Sequence, residues 1–520
     1  MREYTAWIGD SDRQPQRWIY CVDAQQVIDG DVVALRAKTT GDSLPADQLP
    51  EGNERLIGRV GLSSLAEVED AARAAAGAYQ EWSRRSARCR CELMSAVREV
   101  LDAKRDEYFD ILVSEGHPAG LVQIEIEALL ASFSEPSIHE MWRRLEDQRQ
   151  TGEHSIVYLR RPDGVVGVNP PANAAATNSL FGVGALVSGN AVVVRVPTSV
   201  PLGTAWVWHE VVRPALHAVD APPGIANVIC HSAAPVLDSW RNSDHINTLA
   251  YFGSSSCGTQ LGAQWYARGK KAVLELAGND GMLIWRDCDI DRATDALTEC
   301  FYGSAQICLV PKYAIVHPAI ADVVLEKLVA RASALIPRPL SDRDAVLSPV
   351  LNQQGFFELL SEALDGGMTA LCGGYRLDGT GQRTTAGLFV APTILRVNGF
   401  DRAANTRAVT EETFFPLLPV IVPDVSDSDD DLLAASIAFM NHNAFGLRNS
   451  IHASDESVIR YALSALTNGG IVKVNDSHIT TAPGAPSWGG TGYSGGPYGE
   501  ANIPALSTTH LQAVIRRRTA

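Results

Sequence analysis

The chain alternates amphipathic segments with short apolar runs along most of its length. Residues 64–82 repeat apolar side chains at helical spacing, and Ser64 with Glu67 predicts a capping box at the start of this helix. The apolar positions between Leu93 and Leu101 predict a second helix. Both segments are therefore predicted as amphipathic helices of a folded, water-soluble domain.

Short runs rich in β-branched residues predict a series of buried strands. They lie at residues 164–168, 191–196, 226–230, 248–252, 281–285, 313–316 and 471–475. Strands that are separated by helices require crossover connections, which are typical of mostly parallel sheets. The predicted fold class is therefore α/β. Residues 153–164 alternate polar and apolar side chains, and we interpret them as a hairpin arm outside the main sheets.

Length, charge and apolar runs limit the number of domains and the kinds of partner that the protein can have. A chain of 520 residues is too long for one compact core, so two or three domains are expected. The net charge of −16 argues against a nucleic-acid or anionic-membrane partner. The longest apolar run is interrupted at residues 188–190, which makes it a poor membrane span, and residues 1–10 lack the pattern of a signal peptide. We therefore expect a cytoplasmic protein.

The cysteines show no metal-binding pattern. They stand at positions 21, 89, 91, 230, 257, 288, 300, 308 and 372, without a CxxC pair or a Cys/His cluster at zinc spacing. Free, reduced thiols and no metal are expected. For eight of them we expect a buried, space-filling thiol. Cys308 differs, because the motif "GSAQIC" places it directly before an apolar strand.

Four motifs occur together and in order: "GVNPPAN", "LELAGND", "GSAQIC" and "EETFFP". This set resembles the aldehyde dehydrogenase superfamily from about residue 56 to the C-terminus. The resemblance implies a fold with a Rossmann-type cofactor domain, an α/β catalytic domain that carries Cys308, and a small oligomerisation arm. Their expected boundaries are 1–145 with 165–278, 279–480, and 146–164 with 481–520, respectively.

The resemblance also implies the chemistry of Cys308. In this family the motif cysteine attacks the aldehyde carbon, the resulting thiohemiacetal gives up a hydride to NAD or NADP, and a thioester remains. The covalent adduct splits one hard step into two easier ones. A thiol has an unperturbed pKa of about 8.5, so we expect modest tuning to give a thiolate near neutral pH.

Two further residues match catalytic positions of the family. Glu275 in "LELAG" matches the glutamate that activates water to cleave the thioester, and a partly desolvated carboxylate suits that task. Asn173 in "PPAN" matches the asparagine whose amide donates to the oxyanion together with the backbone N–H of the cysteine. Without a role in catalysis, Glu275 would be a surface glutamate and Asn173 a turn residue.

The cofactor positions match the family less closely, and there is no GxGxxG fingerprint. Gly253 and Ser254 match a turn into a helix whose N-terminus faces the pyrophosphate. In "VVRVPTSVP", Arg195 takes the place of the family's lysine, and Thr198 takes the place of the glutamate that holds the adenosine ribose. A hydroxyl does not repel a 2′-phosphate and a guanidinium binds one well, so NADP is expected to be accepted at least comparably to NAD.

The late motif "EETFFP" completes the predicted cofactor site. Glu412 and Phe414 match the residues that hold the nicotinamide ribose and pack near its ring. The family usually has glycine where this chain has Phe415. The resemblance further implies a homodimer or homotetramer, with the C-terminal segment "LSTTHLQAVIRR" adding a strand to a neighbour's sheet.

Departures from the family pattern leave three hypotheses open. Hydrolytic members usually carry a lysine eight or nine positions after the motif asparagine, where this chain has Phe181 and Gly182. The stretch "PPANAAAT" resembles the acylating branch, which uses coenzyme A and acyl thioesters, whereas Glu275 points to hydrolysis. The hydrolytic enzyme is the favoured hypothesis. The alternatives are an acylating enzyme or acyl-thioester reductase, and a catalytically silent binding protein on this fold.

Overall fold

A computed structural model describes residues 1–151, 153–425 and 428–517. The N-terminal segment contributes a small sheet in the order β1–β5–β4, and a short hairpin, β2 with β3. Two helices, α1 and α2, are inserted between β4 and β5. The bounds are β1 Arg2–Tyr4, β2 Trp7–Ile8, β3 Ser11–Asp12, β4 Trp18–Val22, α1 Ala24–Ile28, α2 Val32–Gly41 and β5 Leu56–Gly61.

Five helices follow, and the first of them packs against the first large sheet. They are α3 Leu65–Ser83, α4 Ala87–Ala103, α5 Arg105–Ser114, α6 Ala119–Ser132 and α7 Glu135–Leu145. The predicted capping box is confirmed, because the Ser64 hydroxyl accepts from the Glu67 N–H and the Glu67 carboxylate accepts from the Ser64 N–H at 2.7 Å. The second predicted helix is confirmed as α4. Two arm strands follow, β6 Glu146–Thr151 and β7 His154–Pro162.

The first large sheet holds five parallel strands in the order β12–β11–β8–β9–β10, and β2 and β3 extend its edge. Its strands are β8 Val165–Asn169, β9 Ala191–Val196, β10 Ala226–Cys230, β11 Thr248–Phe252 and β12 Lys271–Glu275. The helices are α8 Ala175–Ser179, α9 Phe181–Val187, α10 Leu202–Trp206, α11 Arg213–Ala218, α12 Ala233–Asn242 and α13 Ser255–Tyr266. After β8, the chain adds β9 and β10 on one side of this strand and then β11 and β12 on the other. Ligands of such sheets bind outside the carboxyl ends of the strands at this switch point, between β8 and β11.

The second large sheet has the order β15–β19–β20–β14–β13–β22–β23, with only β15 antiparallel to its neighbour. Its strands are β13 Asp280–Ile284, β14 Pro311–Val316, β15 Thr369–Cys372, β19 Thr393–Asn398, β20 Leu417–Val422, β22 Arg448–His452 and β23 Ile471–Val474. Short strands β16 Arg376–Leu377, β17 Arg383–Thr384, β18 Phe389–Val390 and β21 Phe445–Gly446 lie beside it. The helices are α14 Ile290–Thr298, α15 Ala321–Ala334, α16 Gln353–Asp365, α17 Phe400–Ala404, α18 Arg407–Thr410, α19 Asp429–Asn441 and α20 Glu456–Ala465.

The strand predictions are confirmed, three of them over the predicted residues without any shift: β9, β10 and β11. All three are buried along their whole length, which is why continuous apolar runs identify them. Within the described residues, the helices lack the combined length and apolarity needed to cross a membrane. The division into two domains and an arm stays a prediction, with one large sheet in each predicted domain.

The C-terminal segment contains β24 Thr491–Gly492, which pairs with β21, then α21 Pro504–Ser507, and β25 Thr509–Arg517, which joins the arm sheet. The hairpin prediction for residues 153–164 is confirmed, because β7 pairs antiparallel with β6. The terminal segment forms a strand as predicted, and its addition to a neighbour's sheet stays a prediction. β25 pairs with β7 of the same chain over nine residue pairs, since α21 turns the chain back beside the arm.

Candidate active site

The predicted catalytic and cofactor residues come from strand ends that the fold brings together. Asn173 follows β8, Gly253 follows β11, and Glu275 ends β12. Because these parallel strands are neighbours, their carboxyl ends meet at one edge of the sheet. Cys308 lies just before β14 of the second large sheet. The cleft between the two large sheets is therefore the candidate active site.

The loop before Cys308 has an unusual backbone. Gly303, Ser304 and Ala305 have φ values of 60°, 53° and 59°, and the left-handed region is unfavourable for the two residues that carry a Cβ. Hydrogen bonds hold this turn: the Ser304 hydroxyl donates to the Ser348 carbonyl at 2.6 Å and accepts from the Ser348 N–H at 3.0 Å. The chain therefore reaches Cys308 in one defined path.

Cys308 itself is half-buried and packs against the turn that follows β12. A Cβ on Gly278 would overlap the carbonyl of Cys308, so only glycine allows this close approach. The Gly278 N–H donates to Glu412 Oε1 at 2.7 Å. Three motifs that are far apart in the sequence, around Gly278, Cys308 and Glu412, thus form one packed unit.

The pKa of Cys308 is raised to about 12. Burial is the main cause, followed by the negative charges of Glu412, Asp280 and Glu275, whereas Lys312 lowers the pKa. The structure does not support the expected tuning toward a thiolate at neutral pH, because burial and then the three acids disfavour the charged form of the thiol. Attack by this thiol requires a group that takes its proton.

Two charged residues of this cluster escaped the sequence analysis. Lys312 is buried within β14, where its ammonium donates to the Ala305 carbonyl at 2.8 Å and lies 5.0 Å from the centre of the Phe414 ring. Asp280 is buried at the start of β13 and accepts from the Arg448 N–H at 3.1 Å; burial raises its pKa to about 8. A charged residue inside a strand-like apolar run was the available signal for both.

Replacing Lys312 by methionine is expected to make the Cys308 thiol less reactive. The Lys312 ammonium lowers the pKa of the Cys308 thiol. Removal of the ammonium therefore raises this pKa, and a smaller fraction of the thiol is ionised at any pH below the pKa. We expect alkylation of Cys308 by iodoacetamide to slow by about tenfold at a fixed pH. Lys327→Met, at a surface ion pair with Asp291, is the control. An unchanged alkylation rate would show that Lys312 does not act on the thiol.

Glu275 is buried at the end of β12, with both carboxylate oxygens hydrogen-bonded. The Gly489 N–H donates to Oε2 at 2.9 Å, and the Asn502 amide donates to Oε1 at 2.6 Å. Burial raises the pKa of Glu275 to about 7, although the two hydrogen bonds act in the opposite direction. A carboxyl group that titrates near neutral pH is suited to act as a general base.

Phe181 stands where hydrolytic members of the family usually have a lysine, and it makes the surroundings of Glu275 apolar. Phe181 is fully buried and packs edge-on against Trp488 at 5.6 Å and against Phe252 at 5.9 Å between ring centres. Phe252 is paired with Glu275 in the sheet register. An aromatic cluster thus stands where hydrolytic members usually have a cation.

Asn173 contacts the loop that carries the cysteine. Its amide donates one hydrogen bond to the Gln306 carbonyl at 2.9 Å, two residues before Cys308. The second amide hydrogen has no protein acceptor among the described residues. The geometry is compatible with an oxyanion donor, and that role stays a prediction.

The turn after β11 fits a dinucleotide pyrophosphate. Glycine is favoured at position 253, because a Cβ there would lie 2.5 Å from the Tyr251 hydroxyl. The Ser254 hydroxyl caps the 12-residue helix α13 by accepting from the Cys257 N–H, and the positive end of the helix points to the cleft. Gly253 and Ser254 are therefore placed to hold NAD or NADP, although this assignment stays a prediction.

Arg195 and Thr198 occupy different environments at the end of β9. Thr198 is half-buried in the turn beyond the strand. Arg195 is buried, and its guanidinium donates to Asn169 Oδ1 at 2.6 Å and to the carbonyls of His231 and Pro170 at 3.1 and 3.2 Å. These contacts favour a positioning role for Arg195 over a direct contact with a phosphate. Three of its five N–H donors are used in these bonds, and its predicted cofactor role stays a prediction.

The side chain of Phe415, at a position where the family usually has glycine, packs against the core of the second large sheet. Its ring packs edge-on against Phe356 at 5.9 Å between centres, inside the core of the second large sheet. Phe414 consequently stays on the side of Lys312, and Glu412 stays beside Gly278. Replacement of glycine by Phe415 thus leaves the positions of Glu412 and Phe414 compatible with the predicted nicotinamide contacts.

A cavity of about 740 Å³ adjoins the cysteine loop. Asn173, Gln306 and Ile307 form one wall, and the N-terminal segment with Val22 and Val27 forms another. Most of the lining is apolar, as is usual for small-molecule sites. The loop that carries Cys308 is therefore reached from an open space between the structural units.

A dinucleotide-type parallel sheet, a half-buried cysteine and a buried carboxyl group together fit an oxidoreductase that uses a nucleophilic cysteine. Residues 43–513 match the Aldehyde dehydrogenase family, and the chain belongs to that family. It is 28% identical over 462 residues to 2-hydroxymuconic semialdehyde dehydrogenase of Pseudomonas sp. (strain CF600), covering 85% of this chain and 91% of the relative.

Solved structures share the fold at lower identity. Glyceraldehyde-3-phosphate dehydrogenase GapN from Methanocaldococcus jannaschii, complexed with NADP, matches 89% of this chain and 96% of its own length with a TM-score of 0.75 and 22% identity. An aldehyde dehydrogenase of Mycobacterium tuberculosis, complexed with NAD+, matches 99% and 98% with a TM-score of 0.77 and 20% identity. The protein is an NAD(P)-dependent oxidoreductase that oxidises aldehydes.

Proposed function

We propose that the enzyme is hydrolytic and converts an aldehyde, NAD(P)+ and water into a carboxylic acid, NAD(P)H and a proton. The observation that carries this proposal is Glu275: a buried carboxyl group with a pKa of about 7, whose charge acts on Cys308. A base of this kind has a clear purpose if water cleaves the thioester. If a second thiol accepts the acyl group, no water has to be activated, and the base is needed only for the proton of Cys308.

The first half-reaction depends on Cys308. Its sulfur bonds to the aldehyde carbon, and the thiol proton passes to Glu275, because the raised pKa of the thiol prevents spontaneous ionisation. The Asn173 amide and the Cys308 N–H stabilise the resulting oxyanion. NAD(P)+, when bound, would supply the acceptor for the hydride of this adduct. Cys308 is then left as a thioester.

The second half-reaction depends on Glu275. After release of its proton to solvent, the carboxylate takes a proton from water, and the water oxygen attacks the thioester carbon. The carbon–sulfur bond breaks, the acid leaves, and the Cys308 sulfur regains a proton. Glu275 must be ionised for this step. Turnover is therefore expected to decrease as the pH falls below about 7.

The acylating reaction is the second candidate, because Phe181 stands where hydrolytic members carry a lysine. The two are separated by one experiment: a panel of aldehydes with NAD or NADP, with and without coenzyme A, followed by absorbance of the reduced cofactor. Repeated turnover without coenzyme A supports hydrolysis. A single burst that needs coenzyme A to continue supports acyl transfer, and absence of any turnover with every aldehyde supports a silent protein.

We infer that the arm joins subunits into a homodimer or homotetramer. β25 lies at the edge of its sheet, and apolar side chains on it are exposed: Leu511 by 56% and Ile515 by 68%. An edge strand with such side chains is suited to association. Sedimentation velocity of the purified protein measures the number of subunits.

The state of the cysteines supports a reducing compartment, and we propose the cytoplasm. All nine cysteines are free, and most are buried or half-buried. Disulfides are rare where thiols are kept reduced.

Acceptance of NADP at least comparably to NAD is proposed on the basis of Thr198. A glutamate there would bind both ribose hydroxyls of NAD and repel the 2′-phosphate of NADP, whereas the Thr198 hydroxyl carries no charge. Arg195 adds less to this argument, since three of its five N–H donors bind groups inside the protein.

Thr198→Glu is expected to lower kcat/KM for NADP by about tenfold or more relative to NAD. Thr198→Val, which has a similar shape and no charge, serves as the matched control and should leave the ratio nearly unchanged. The measurement is kcat/KM for each cofactor at saturating aldehyde. A wild-type preference for NAD of about tenfold or more that Thr198→Glu does not alter would contradict the proposed role of Thr198.

A further inference from the structure

Asn502 links the C-terminal segment to the candidate base. It is buried just before α21, and its backbone N–H donates to the Trp488 carbonyl at 2.7 Å. Its side-chain amide donates to Glu275 Oε1 at 2.6 Å, across 227 positions of sequence. The other amide atom, Oδ1, is buried and has no hydrogen-bond partner among the described residues. The Asn502 side chain therefore has one unused acceptor, Oδ1, close to the Glu275 carboxyl group.

Few other groups near Glu275 can influence the protonation of its carboxyl group. Its Oε2 accepts from the Gly489 N–H at 2.9 Å, a fixed backbone donor. Among the described residues, Glu275 takes part in no ion pair, so no cation neutralises it. The titratable group that it faces is Cys308, and the charges of Glu412, Asp280 and Lys312 act on that same thiol. Phe252 and the cluster around Phe181 supply apolar contacts.

We propose that Asn502 is a positioning residue that holds Glu275 in both of its protonation states. This inference rests on the proposed hydrolytic function. When Glu275 is ionised, Asn502 Nδ2 donates to its carboxylate, as in the structure. When Glu275 is protonated, a half-turn of the amide brings Oδ1 to the same place, where it accepts from the carboxyl O–H.

A neutral amide suits this task better than a lysine would. An ammonium group has donors only and holds a carboxylate in its ionised form, whereas an amide carries a donor and an acceptor of nearly equal size. The base passes through a protonated state in both half-reactions. The amide therefore keeps the carboxyl group hydrogen-bonded at each stage, in a site where an unpartnered polar group is unfavourable.

This role predicts a change in the pH dependence of turnover. The Asn502 donor stabilises the carboxylate, so its removal raises the pKa of Glu275 further. Deacylation requires the ionised form. The rising limb of the kcat–pH profile should then move to higher pH, with most of the lost turnover regained at alkaline pH. A merely structural residue would lower kcat at every pH alike.

The test is the kcat–pH profile of the full-length enzyme, together with the pre-steady-state burst of reduced cofactor. Asn502→Ala is expected to move the rising limb upward by about one pH unit while keeping the burst. Asn502→Asp, which has the same shape, is expected to move it further, because two adjacent carboxyl groups disfavour double ionisation. Ser507→Ala, in the same segment and hydrogen-bonded only to the Ile503 carbonyl, is the control and should keep the wild-type profile.

Two results would overturn the role of Asn502: a profile that keeps its midpoint in both variants, or a uniform loss at every pH in both. The burst separates this failure from failure of the proposed function. If the wild type shows a burst but turns over only with coenzyme A, the hydrolytic function is wrong and the inference falls with it. If the wild type turns over without coenzyme A and the variants keep their midpoint, only the role of Asn502 is wrong.

Discussion

Cys308→Ala is expected to abolish aldehyde oxidation, lowering kcat by roughly 10⁴-fold or more while cofactor affinity changes little. The sulfur forms the covalent adduct from which hydride leaves, and no other thiol is placed to replace it. The nearest cysteine along the chain, Cys300, is fully buried on the side of the second sheet, where its sulfur contacts the Leu417 carbonyl. Absorbance of the reduced cofactor measures turnover, and calorimetric titration measures cofactor binding.

Cys372→Ala is the matched control for this experiment. Cys372 is half-buried on β15, and its thiol contacts the Pro392 carbonyl rather than the cleft. This variant should retain wild-type turnover. Near-normal oxidation by Cys308→Ala would place the nucleophile elsewhere and remove the basis of the proposed mechanism.

Glu275→Gln is expected to lower steady turnover by roughly 10²-fold or more while a burst of reduced cofactor survives. Glutamine keeps the shape of the side chain, and it cannot accept the proton of the attacking water. Rapid mixing of enzyme, aldehyde and cofactor separates the burst from the steady rate. The burst itself should become slower, because Glu275 also receives the proton of the Cys308 thiol.

The pH profile gives an independent check on Glu275. The group is ionised above a pKa of about 7, so wild-type kcat should rise through neutral pH and then level off. The Gln variant should lose this rise. Glu456→Gln, in the exposed first turn of α20, serves as the control and should keep it. An unchanged steady rate in Glu275→Gln would favour the acylating reaction instead.

Much of the fold was predictable because its strands are buried on both faces. β9, β10 and β11 are continuous apolar runs, and such runs have few alternatives in a chain that alternates them with amphipathic helices. The capping box at Ser64 was predictable for a different reason, since both partners lie within one helical turn. Local chemistry was sufficient in each case. The strand at the C-terminus was foreseen as a strand, and its partner was not, because pairing depends on where α21 directs the chain.

In the candidate active site, too, the motifs predict which residues are present, and the tertiary packing sets their pKa values. Motifs around Cys308, Glu275 and Asn173 identify the nucleophile, base and oxyanion donor through resemblance to a family. The burial and charges that set their pKa values come from elsewhere. Lys312 follows Cys308 by four positions and Asp280 ends the motif "LELAGND", but their closeness to the thiol depends on the pairing of β13 with β14. The motif alone therefore predicted a thiolate near neutral pH.

The sequence by itself thus determined the fold class and the family, and it predicted the residues at the centre of the chemistry. Only the tertiary structure decided that Arg195 binds groups within the protein, that Phe415 packs against a core, and that Asn502 donates to Glu275. The physical reason is distance along the chain. Hydrogen bonds and charge effects act over a few ångströms of space, and residues hundreds of positions apart meet at that range only once the sheets have assembled.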